Sequence, residues 1–94
     1  MSALSREQAR ELQRLHDAVA ERQAGELPLD QTTVGVDRAE LGGRAAWVAL
    51  AGKGLIRIDR QAGPRGGDRW VLHLTRAGVD RVAAIRHYRA RATA

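Results

Sequence analysis

The sequence has no cysteine and no phenylalanine, and its only lysine is Lys53. Without cysteine the chain can form neither a disulfide nor a thiolate-held metal centre, which fits a cytoplasmic protein. Aromatic residues make up 3% of the chain, as Trp47, Trp70 and Tyr88. That is too few for a single-strand platform on which successive bases stack. Long apolar runs are also missing. The longest, Ala45 to Ala51, falls far short of the roughly 20 residues that a membrane span needs. The opening stretch from Met1 to Glu7 lacks the basic-then-apolar order of a secretory signal. A chain of 94 residues can bury one modest core, so a single domain over 1–94 is expected.

Charge, by contrast, is plentiful and uneven. Residues 1–43 hold five arginines against eight acids, a balance of −3, whereas residues 44–94 hold eleven basic groups against three acids, a balance of +8. Such a half-molecule attracts phosphate backbones or other anionic surfaces. His16, His73 and His87 have no ligand spacing within one element, and no serine, histidine and acid fall in a catalytic order. No catalytic residue, metal or cofactor is expected; the histidines read as core or interface residues and both tryptophans as core.

Hydrophobic periodicity predicts a first helix over 6–24. Ser5 and Gln8 form a capping box, and Ala9, Leu12, Leu15, His16 and Val19 lie on one face. Leu27 to Val36 reads as a short helix after Leu29 or as a short strand. Asp37 can cap a further helix over 37–53, with Glu40 completing an Asp-x-x-Glu box, and the run Ala45–Ala51 implies burial nearly all round. Gly42 and Gly43 interrupt that helix, so it bends there or the pair is itself the turn. Alternating segments on either side of a loop with three glycines and a proline predict a hairpin over 55–75. Thr75 then caps a last helix over 76–91. The expected class is mainly α with a small β-hairpin, in the order helix, short element, helix, hairpin, helix.

Three segments carry a family resemblance, the first being Val34-Gly35-Val36-Asp37-Arg38-Ala39-Glu40-Leu41, which resembles a Gly-Val turn and polar cap ahead of a recognition helix. Leu50-Ala51-Gly52-Lys53-Gly54-Leu55-Ile56 is similar to the Leu-x-x-x-Gly-Leu-Ile run of winged helix-turn-helix transcription regulators of the MarR and PadR type. Leu74-Thr75-Arg76-Ala77-Gly78 resembles the Leu-Thr-x-x-Gly that follows their second wing strand. The resemblance covers roughly residues 27–80. It implies a recognition helix over 37–53, a wing over 55–75, and a homodimer formed through the terminal helices. The element before the turn is shorter than the family's second helix, and the recognition helix carries two additional glycines.

The residues support double-stranded DNA as partner without the family. A helix with a polar leading half and an apolar trailing half can project its first turns from a core, as major-groove reading requires. Arg38 and Arg44 lie in that leading half, and arginine can grip two acceptors of guanine at once. Arg60, Arg65 and Arg69 surround the glycine-rich hairpin loop, where they could meet phosphates or enter a minor groove. Gln31, Thr32 and Thr33 could donate to phosphates. The competing reading is an interaction module whose basic face meets an acidic protein or an RNA.

Overall fold

The structure is a computed structural model that describes residues 3–23, 34–64 and 66–93, with side chains through Arg89. Gln31, Thr32, Thr33 and Arg65 lie outside the described residues. The elements follow in the order α1 (Arg6–Gln23), β1 (Val36–Asp37), α2 (Arg38–Leu41), α3 (Ala45–Gly52), β2 (Ile56–Ala62), β3 (Asp68–Leu74) and α4 (Arg76–Thr93). The architecture is mixed α/β. The three strands form one antiparallel sheet in the order β1-β3-β2, so the expected lone hairpin is joined by a third strand.

α1 begins as its sequence predicts. Gln8 N–H donates to Ser5 Oγ at 3.0 Å, and Ser5 N–H donates back to Gln8 Oε1 at 3.1 Å, satisfying two amides that have no partner within the helix. Leu12, Leu15 and Val19 are fully buried. They meet Val36, Trp47, Leu50, Leu55, Ile56, Leu72, Leu74 and Val82 in one core. β1 was hard to foresee because it pairs for only two residues, Val36 with Leu72 and Asp37 with Val71. A side chain at Gly35 would collide with Val71 and His73 on β3.

The helix expected over 37–53 is two helices. Gly42 and Gly43 both have φ of 71°, a left-handed conformation that glycine adopts without steric cost, so the pair is the turn. The capping box also fails there. Asp37 Oδ1 accepts Ala39 N–H at 2.9 Å, but Glu40 faces away and pairs with Arg22 of α1. Nor is the run Ala45–Ala51 buried all round. Trp47 and Leu50 are buried, yet Val48 is 51% exposed, because among the described residues no element covers the outer side of α3.

The chain turns from α3 into β2 at a tightly built corner. Thr75 Oγ donates to Gly54 O at 2.7 Å and accepts Gly78 N–H at 3.1 Å. One hydroxyl therefore caps α4 and ties it to the end of α3. A Cβ at Gly78 would overlap the Leu55 carbonyl oxygen, so α4 can approach only where there is no side chain. Leu55 N–H reaches back to Leu50 O at 3.1 Å.

Candidate nucleic-acid interface

The Gly42-Gly43 turn would be soft if left to its backbone, since glycine retains wide conformational freedom. Two side chains hold it. Trp47, fully buried, donates its Nε1–H to Gly42 O at 2.8 Å. Arg38 donates from Nη1 to Gly43 O at 2.9 Å. Each helix flanking the turn thus contributes one donor to a turn carbonyl. The next residue, Arg44, is exposed and precedes the first residue of α3.

Across from it, the register of the hairpin places Arg60 opposite Trp70. Both project to the core side of the sheet, because Ile56, Ile58 and Arg60 alternate with outward-facing Arg57, Asp59 and Gln61. Trp70 is only 7% exposed. The guanidinium of Arg44 lies 5.0 Å from its ring centroid and that of Arg60 lies 4.9 Å from it, both within cation–π range. Two cations from different elements are thereby held no more than about 10 Å apart. Among the described residues neither has a carboxylate partner. The aromatic ring positions these charges without neutralising them, which leaves their N–H groups available to an acceptor. Trp70 Nε1 is buried and finds no acceptor among the described residues.

The other predicted arginines are placed differently. Arg69 sits next to Trp70 on β3 and therefore faces the opposite side of the sheet. There its Nε donates to Asp37 Oδ2 at 2.8 Å. The Ala39 amide and then the Arg69 guanidinium hold the Asp37 carboxyl below its ordinary range, against the opposing effect of burial. Arg38 is committed to the turn. A cleft of about 340 Å³ opens between the start of α2 and the hairpin, lined by Asp37, Arg38, Ala39, Gly63, Pro64, Gly67, Asp68, Arg69 and Trp70. The structure thus joins Arg44 with Arg60, sets Arg38 and Arg69 around the neighbouring cleft, and turns Trp70 from a plain core residue into a platform. Reading Arg60 against Trp70 across the hairpin was the one signal that could have revealed that platform.

No known family, curated protein or solved structure matches this chain. Among the described residues no three histidines or acids gather as metal ligands, and no helix is long and apolar enough to cross a membrane. His16 lies beside Asp17, with Nδ1 3.3 Å from Oδ1. His73 lies in β3 and His87 is exposed on α4.

Proposed function

We propose that the chain binds double-stranded DNA as a winged helix-turn-helix module. In this reading α2, the pinned glycine turn and α3 form the helix-turn-helix, and β2 and β3 form the wing. The helix presented to the groove is then α3 alone, and Arg44 stands at its leading end. The observation that carries the proposal is the cluster of Arg44 and Arg60 on Trp70. It links the turn to the wing and holds two unneutralised guanidiniums where a phosphate backbone would supply the missing anions.

The outer surface of α3 bears on the kind of binding. Ala45, Val48 and Gly52 are exposed and Ala49 is partly so. None of them carries a side-chain donor or acceptor, so α3 cannot read bases by hydrogen bonding. Small residues let the helix backbone approach closely, and Val48 can touch thymine methyl groups. The binding that follows rests on the phosphate backbone and on duplex shape, and is architectural rather than strongly sequence-specific. The homodimer implied by the resemblance is not needed for one chain to grip one duplex this way.

Fluorescence anisotropy with a duplex at several salt concentrations tests the proposal. Affinity is expected to fall steeply with salt. Arg44→Gln combined with Arg60→Gln should weaken binding by about tenfold and make the log–log salt slope shallower by about 2. Absence of binding at low salt, or binding indifferent to salt, overturns the proposal. Duplex affinity unchanged in the double variant, together with capture of an acidic polypeptide, would favour the interaction-module reading.

A further inference from the structure

A cationic groove of about 370 Å³ runs between α1 and α4. It is lined by Arg6, Arg10, Gln13, Arg14, Asp17, Arg86 and Arg89. Among the described residues five guanidiniums line this groove with one carboxylate, Asp17. That carboxylate is already engaged by Arg86, whose Nη2 lies 2.7 Å from Oδ1, and by His16 at 3.3 Å. Arg14 is bound to Glu11 at 3.0 Å, which lies outside the groove. Arg6 and Arg10 are exposed, and neither has a carboxylate partner among the described residues. The charge on Arg6 and Arg10 is left for an external anion to balance.

The spacing indicates the anion. Arg6, Arg10 and Arg14 stand four residues apart on one side of α1, so each step is about 6 Å along the helix. A regular row of forked donors matches a repeating polyanion better than a single phosphate. None of these residues lines the cleft beside Trp70, and neither Arg44 nor Arg60 lines this groove.

We infer that the α1–α4 groove is a second surface for the phosphate backbone of duplex DNA, which lets one chain hold two duplex segments. The groove's own affinity does not require the Trp70 cluster. Bridging does rest on the reading above, so the two are measured separately.

Duplex binding is first followed by anisotropy in the Arg44→Gln, Arg60→Gln background. Salt-sensitive binding should persist there, and adding Arg6→Gln and Arg10→Gln should reduce it at least tenfold. Circular dichroism confirms folding of each variant, and both groove positions are exposed helix sites where glutamine is well tolerated. Arg6→Lys with Arg10→Lys should restore most of the lost affinity. In a bead assay, wild-type chain bound to an immobilised duplex should capture a second, labelled duplex, and the Arg6→Gln, Arg10→Gln variant should not. The inference is overturned if the cluster-less background binds no duplex, if the groove substitutions leave its affinity unchanged, or if the groove variant bridges as well as wild type. That last result would assign bridging to self-association. If the cluster substitutions have no effect while the groove substitutions do, the Trp70 proposal fails and the groove stands.

Discussion

The corner at Thr75 and the turn at Gly42-Gly43 use the same materials for opposite ends. Each relies on glycine, and each is closed by side chains donating to backbone carbonyls. At the corner, the missing side chain of Gly78 lets α4 settle against the Leu55 carbonyl, and Thr75 seals the contact inward. At the turn, Gly42 and Gly43 take left-handed backbone angles, Trp47 and Arg38 bind their carbonyls, and Arg44 is delivered outward. The first arrangement buries and the second presents. A glycine therefore has to be interpreted through what occupies the space it leaves.

Substitutions can break this contrast. Gly78→Ala should have the largest effect. Its methyl group meets a backbone oxygen that cannot rotate away, so a loss of about 3 kcal/mol or more is expected by denaturant unfolding, at the upper end of overpacking costs. Duplex affinity per folded molecule should stay unchanged. Thr75→Ala removes a helix cap and the tie to Gly54 together, for an expected loss of about 1–2 kcal/mol. Thr75→Ser should recover most of it, because it keeps the hydroxyl. Gly43→Ala should cost the least, about 1 kcal/mol for a left-handed alanine, with only the Trp47 indole nearby. Unlike the corner variants, it should also weaken duplex binding, because it displaces Arg44. If Gly43→Ala lowers stability and leaves binding untouched, the turn has no presenting role.

The same contrast explains what could be read from the chain without coordinates. Two of the three segments that carry the family resemblance are the two halves of the corner. Leu50, Leu55, Ile56 and Leu74 fill the core, and Gly54, Thr75 and Gly78 make the joint. Those residues announce themselves locally, through periodicity, caps and glycines, so the hairpin and the helices around it were foreseeable. Their pattern speaks of packing and says little about what the surface binds. The segment ending at Val36 is open to helix or strand on sequence alone because two paired residues carry no periodicity, and the pairing of β1 depends on β3 some thirty-five positions later. Arg44 and Arg60 could be named as cations but not as neighbours, since their meeting point is a ring on a third segment. Arg69 appeared equivalent to Arg60 until strand alternation turned it to the other face and towards Asp37.

The Thr75 hydroxyl reaches Gly54, 21 positions away, and so links the amide of Gly78 to the carbonyl of Gly54. The first turn of α4 therefore cannot fray by itself, since opening it also releases the end of α3. In hydrogen–deuterium exchange the Gly78 amide should behave as part of the slowest, whole-molecule opening, although it lies only three residues into its helix. The chain's last helix is thereby made a party to the stability of the element that stands next to Arg44.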